Sequence, residues 1–273
     1  MSKQLKCPVL MYHALVEKRA TNLHTVHITV EAFRQQMEWL AANNFQTITI
    51  GEMLQGFAQK KEGNYCVISF DDGYHSIYRY AMPLLKQYGF CATLYLTTAP
   101  VGKDDFSNTG INAKTLPTND KPLNWQEIKE MQANGWSIEA HSVTHTDINK
   151  LTAAQLQFEM AESKKIIEQH LKQPVLHYAF PFGKYNVASL KIAAKIYQTA
   201  STVHAGLCSK RSNLHRLPRL EINHTTTIKS FAKKIQTGFD SSKEKLRASA
   251  RDIVFRNPVV KDLSKKILGK RVN

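Results

Sequence analysis

The stretch Val67-Ile-Ser-Phe-Asp-Asp-Gly73 decides the fold: an apolar, β-type run ends in two adjacent carboxylates and a glycine. Such a run reads as a strand buried on both faces, the condition of a parallel sheet. At the carboxyl end of a parallel strand the chain enters the region where α/β folds place their chemistry. Adjacent residues there point in different directions, so Asp71 and Asp72 can do two jobs, one binding a metal and one handling a proton. Taken alone, the same residues would also fit a strand closing in an Asp-Gly turn.

A second apolar stretch, Trp136-Ser-Ile-Glu-Ala-His141-Ser-Val-Thr-His145, ends in two histidines four residues apart. Imidazole suits zinc and its neighbours, and this spacing lets both rings reach one ion from a single turn. Two histidines and one carboxylate leave positions open on the metal, as a catalytic site requires. In a basic chain with eleven histidines a lone His-x-x-x-His is weak. Its coincidence with Asp-Asp-Gly, both at strand ends, gives it weight.

These residues resemble the polysaccharide deacetylases of the NodB-homology type, carbohydrate esterase family 4. Phe70-Asp71-Asp72-Gly73 matches that family's first motif and His141-Ser-Val-Thr-His145 its second. Phe180-Pro-Phe-Gly-Lys-Tyr-Asn186 resembles the third, and Pro8-Val-Leu-Met-Tyr-His13 is similar to the permuted branch that includes the poly-N-acetylglucosamine deacetylases. The resemblance covers roughly residues 7–224 and is more specific for fold and metal site than for substrate.

The resemblance implies an α/β fold, a distorted (β/α) barrel of about seven parallel strands. It implies that Asp72, His141 and His145 hold a divalent metal, zinc first, with Co2+, Ni2+, Mn2+ or Fe2+ as other choices. Asp71 would be the base, the Phe182 backbone N–H part of an oxyanion hole, and His13 the acid that protonates the leaving amine. His215 and His224 are the fallback acids. Tyr74, Trp125 and Pro181 are substrate-contact candidates, with Trp125 able either to stack on a sugar ring or to anchor the next helix. Many relatives carry an arginine two residues before the third-motif proline, where it orients the catalytic aspartate; here that position is Ala179. Arg219 is either its replacement or a solvated charge near a turn.

The 273-residue length suits one large α/β core, and the hydrophobic (42%) and charged (22%) fractions are ordinary for a globular protein. No apolar run is long enough to span a bilayer. The start of the sequence offers no adequate signal-peptide core, so a location in the cytoplasm, free or at the inner face of the membrane, is expected. Cys7, Cys66, Cys91 and Cys208 form no Cys-x-x-Cys pair and read as reduced thiols.

Strands are expected at Val9–Tyr12, Thr47–Ile50, Cys66–Phe70, Ala92–Leu96, the segment before His141, Val175–Phe180, Thr199–Val203 and Leu217–Ile222. Helices are expected over Val30–Asn43 behind the Thr29 cap, Ile77–Tyr88, Trp125–Asn134, a segment opened by the Thr152-Ala-Ala-Gln155 capping box, and Val187–Ile196. Residues 100–124 form a long polar loop of the functional kind. Residues 1–227 read as the catalytic domain and 228–273 as a basic helical extension. From Lys229 to Asn273 thirteen Lys or Arg face four acids, a large share of the net +15. Helical stretches such as Ile253–Phe255 and Leu263–Leu268 could lie on an anionic membrane or simply pack on the barrel. The tail has no base-reading motif, which disfavours nucleic acid.

The function expected is therefore metal-dependent removal of an N-acetyl group from an amino sugar, as a polysaccharide, oligosaccharide or lipid-linked saccharide. The alternatives are hydrolysis of another amide-type bond, such as a cyclic ureide, and a non-catalytic sugar-binding relative. A glycosidase using Asp71 and Asp72 is set aside, because adjacent carboxylates on one strand end rarely flank a glycosidic bond.

Overall fold

The computed structural model describes residues 6–249 apart from 22, 61, 112–116, 118, 119 and 247. The chain begins with β1 (Lys6–Cys7), β2 (Val9–Tyr12), β3 (Leu15–Val16), β4 (Ile28–Thr29), α1 (Val30–Ala42), β5 (Gln46–Thr47) and α2 (Ile50–Gln59). It continues through β6 (Tyr65–Asp72), a π-helical turn running into α3 (Met82–Gln87), β7 (Thr93–Leu96), α4 (Trp125–Ala133) and β8 (Ser137–Ala140). The remainder comprises α5 (Ala153–Leu171), β9 (His177–Ala179), α6 (Val187–Ile196), β10 (Thr199–Ser201), β11 (Cys208–Ser209), β12 (Leu220–Glu221) and α7 (Ile228–Thr237).

Seven strands form one parallel sheet in the order β10-β9-β8-β7-β6-β2-β12, with β5 added beside the start of β6. The sheet curls until its edges meet around one segment. Leu217 bridges in parallel to Ser201 of β10, and Leu220 and Glu221 pair with Leu10 and Met11 of β2. The result is the distorted barrel expected from the sequence, closed by residues 217–221.

Side-chain alternation divides the sheet into two faces. Leu10, Ile68, Phe70, Leu94, Ile138 and Tyr178 join the larger core with helix residues such as Phe33, Met37, Ile128 and Ile167. Val9, Val67, Tyr95 and Ala179 form a smaller cluster inside the barrel with Ile50, Met53 and Phe57 of α2. That helix corrects the sequence reading, which took Thr47–Ile50 as a strand. Thr49 Oγ1 accepts from the Glu52 N–H, and a Glu52 carboxylate oxygen accepts from the Thr49 N–H at 2.7 Å. This capping box, with apolar residues at 50, 53 and 57, outweighs the β propensity of Thr-Ile-Thr-Ile.

The other helices begin where the sequence placed them, capped by Thr29, Asn124, Thr152 and Asn186. The start of the expected C-terminal extension is α7. It buries Phe231 and Ile235 in the larger core, with Phe231 edge-on to Trp39 at 5.8 Å. Residues 251–273, including Ile253–Phe255 and Leu263–Leu268, lie outside the described residues. Among the described residues no helix is long and apolar enough to cross a membrane. Cys7, Cys66 and Cys208 are buried free thiols and Cys91 is half-buried.

Candidate metal centre and active-site cavity

Strand β6 delivers both carboxylates to the carboxyl-end rim of the barrel. Asp71, like Val67 and Ser69, follows the inward alternation and meets Arg219, which enters from the closing segment. Arg219 Nη1 donates to Asp71 Oδ1 at 2.6 Å and Nη2 to Oδ2 at 2.8 Å, while Nε donates to the Thr202 carbonyl at 3.0 Å. The guanidinium is fully buried and lies over the Tyr95 ring at 5.2 Å. Arg219 thus makes the two-pronged contact for which the methyl group of Ala179 has no donor. Burial pushes the Asp71 carboxyl up, but Arg219, His141 and His13 outweigh it and bring it to about 2.

Asp72 has the opposite surroundings. Its backbone is left-handed, φ 76°, which turns the side chain out of the strand alternation. Its Oδ1 is buried with no hydrogen-bond partner, 3.5 Å from His141 Nε2 and 3.3 Å from His145 Nε2. Burial, helped by the Asp71 charge and opposed by His141, raises its carboxyl to about 6.

The two histidines follow β8 in an irregular loop, not in the single turn anticipated from their spacing. Ser142 (φ 69°) and His145 (φ 57°) take left-handed conformations that fold the loop back, and Ser142 Oγ accepts from the His145 N–H at 2.9 Å. His141 Nδ1 lies 2.8 Å from the Ala179 carbonyl. A carbonyl can only accept, so Nδ1 carries the proton and Nε2 keeps its lone pair toward Asp72. Burial lowers the basicity of both rings, His145 to about 4, so both are neutral at physiological pH. Gly110 is packed against this loop so closely that a Cβ would lie 2.0 Å from the His145 carbonyl oxygen.

Asp72, His141 and His145 each offer one donor atom within 4.8 Å of the others, and all three are buried. A carboxylate oxygen with no hydrogen-bond partner and two imidazole Nε2 atoms within 3.5 Å of it form a donor set that fits a divalent cation. Four of the eight left-handed non-glycine residues among those described, Asp72, Ser142, His145 and Phe182, belong to this region. Two of the others, Lys60 and Lys172, simply cap helices. Such clustering is characteristic of functional sites.

Above the donor set lies a cavity of about 400 Å³. His13, Tyr74 and Phe182 line it, together with His24, His27, Ile111, Val203 and Glu221, which the sequence reading did not single out. The Phe182 ring packs edge-on to His145 at 4.5 Å, on a backbone turned left-handed at φ 57°. His24 and His27 come from the segment between β3 and β4, where a second histidine pair was visible in the sequence but had no strand end to give it weight. The structure leaves other candidates outside this lining. Trp125 stacks on His170 of α5 at 3.8 Å, the anchoring alternative. Pro181 is buried in the turn that presents Phe182. His215 Nε2 lies 3.1 Å from the Tyr197 carbonyl, and His224 is tied through its backbone to Thr25.

The sequence model of a family described as "Polysaccharide deacetylase" matches residues 58–201. YxkH of Bacillus subtilis (strain 168) is 32% identical over 238 residues, 86% of this chain and 78% of the relative. The chain belongs to the polysaccharide deacetylase family. A poly-beta-1,6-N-acetyl-D-glucosamine N-deacetylase of Staphylococcus aureus (strain MSSA476) is 26% identical, covering 72% of this chain and 68% of the relative. The solved structure of the Streptococcus pyogenes deacetylase PplD, in complex with acetate, superposes with a TM-score of 0.72 at 25% identity. That superposition covers 86% of this chain and 99% of PplD. In this member of the family Asp71 is met by Arg219 from the closing segment, while Ala179 offers its backbone carbonyl to His141.

Proposed function

We propose that the protein is a metal-dependent N-deacetylase that removes the acetyl group from an N-acetylated amino sugar, releasing acetate and a free amine. The observation that carries this reading is the pairing of two unlike carboxylates on one strand end: Asp72 with one oxygen unpartnered between two neutral imidazoles, Asp71 locked by Arg219. The S. aureus relative's named substrate supports an N-acetylglucosamine polymer, and PplD's bound acetate supports the product.

Asp72, His141 and His145 would hold the cation, with zinc the first choice for two imidazoles and one carboxylate. Once bound, the ion supplies Lewis acidity toward the acetamide carbonyl and lowers the pKa of water. Asp71, ionised and fixed by Arg219, accepts the proton of the attacking water as its oxygen bonds to the acyl carbon. The Phe182 backbone N–H faces the developing oxyanion. As the C–N bond breaks, His13 gives a proton to the leaving nitrogen. Burial takes His13 down to about 3, so it is neutral before substrate binds and the proton it delivers arrives during turnover. In this proposal the proton that Asp71 takes from the water is passed on to His13, which lines the same cavity, so that the step balances. Tyr74 and Phe182 flank the sugar. A cytoplasmic location and membrane contact through the basic tail are further parts of the proposal, tested by fractionation and vesicle binding of the full chain.

The decisive experiment measures acetate released from free, polymeric and lipid-linked N-acetylated sugars, with and without chelator. Chelator-sensitive release from any member supports the reading. Silence across the panel from protein with bound metal overturns it in favour of another amide substrate or a binding role.

A further inference from the structure

The loop that carries His141 and His145 has an anchor that belongs to neither the ligand set nor the cavity. Glu159, on α5, is only 7% exposed. Its Oε2 accepts from the backbone N–H groups of Val143 and Thr144, both at 2.8 Å, and its Oε1 accepts from the Thr144 hydroxyl at 2.7 Å. These are residues between the two histidines.

Several other polar groups of this backbone have partners of their own. The His141 N–H donates to Leu96, and the Ser142, Val143 and Thr144 carbonyls accept from Thr98, Ala99 and Gly110. The loop is therefore held on one side by main chain following β7 and on the other by one carboxylate. Because the segment is not helical, its central N–H groups have no partner within the loop, and a buried unpaired N–H is costly. A single carboxylate that takes both, plus the hydroxyl, fixes the spacing of the flanking imidazoles.

The geometry assigns Glu159 as a positioning residue: it pre-forms the His141–His145 loop so that both Nε2 atoms converge on Asp72, and thereby sets metal affinity. This inference rests on the reading of Asp72, His141 and His145 as metal ligands. Its negative charge is also of the sign that favours a cation at a nearby site. Partners in this position elsewhere contribute about 10–100-fold in metal affinity.

The test uses the full chain and Co2+ or Zn2+ in competition with a chromophoric chelator, comparing wild type with Glu159→Ala, Glu159→Gln, Glu162→Ala and Asp72→Ala. Glu162, on the same helix and paired with Lys165, serves as the control. Glu159→Ala is expected to bind metal about 10–100-fold more weakly, and Glu159→Gln, which keeps one acceptor oxygen, to fall between it and wild type. Glu162→Ala should match wild type. In the metal-free proteins, amide exchange at Val143 and Thr144 should speed up in the Glu159 variants while circular dichroism stays that of wild type. Wild-type metal affinity in folded Glu159→Ala overturns the inference; if that variant does not fold, wild-type affinity in Glu159→Gln does so. Wild type binding metal no better than Asp72→Ala would instead overturn the metal reading itself, and the inference with it.

Discussion

Two neighbouring regions of the same strand end are built on opposite electrostatic terms. Inside the barrel, Asp71 is saturated: a bidentate guanidinium cancels its charge. At the rim, Asp72 is left short, with a buried oxygen facing only imidazole nitrogens. A buried carboxylate without a counter-charge is costly, so one region is complete as it folds and the other presents a donor set that fits a cation. In the proposed mechanism that difference separates proton handling from metal binding across one peptide bond.

The largest effect expected is at the incomplete region. Asp72→Ala or His141→Ala should abolish stoichiometric metal binding and cut turnover about 10³-fold or more, read by metal analysis and acetate release. Asp71→Asn should break the comparison from the other side, keeping the metal but lowering turnover about 10²–10⁴-fold. Full activity in Asp71→Asn would remove the base assignment.

Arg219→Leu tests saturation directly. It strands a buried carboxylate and should destabilise the fold by about 3–5 kcal/mol, whereas Arg219→Leu with Asp71→Asn should recover most of that stability and none of the activity. Chemical denaturation of the four proteins closes the cycle.

The smallest effect probes the barrel interior away from the rim. Burial holds His177, hydrogen-bonded to Thr199, at about 4, below the ordinary 6.5. A histidine whose folded pKa is depressed contributes stability that is complete above the unfolded pKa and lost as pH falls from about 6.5 toward about 4. At pH 5.5 the loss should be about 1 kcal/mol. His177→Gln should flatten that part of the stability profile, and an unchanged slope would show that another group titrates there.

Much of the fold was legible because its signals are local. Caps at Thr29, Asn124, Thr152 and Asn186 start helices through hydrogen bonds spanning three residues, and apolar runs mark strands wherever the sheet is covered on both faces. The missed helix α2 was local too, in its Thr49-Glu52 capping box, but Thr-Ile-Thr-Ile read more strongly as β. The histidine loop was found by residue type and misjudged in shape, since spacing does not reveal the left-handed turns at Ser142 and His145. Trp125 illustrates the same limit: its sequence position is near the site, yet its ring stacks on His170.

By itself, then, the sequence determined the parallel barrel, the chemistry of the donor set and the family, because residue types and short spacings carry those. Only the tertiary structure decided which cation meets Asp71, which histidines enter the cavity, and that Glu159 braces the loop. Those contacts join residues far apart in the chain, such as Asp71 and Arg219. Their meeting is set by how the sheet curls and closes, and no local pattern encodes it.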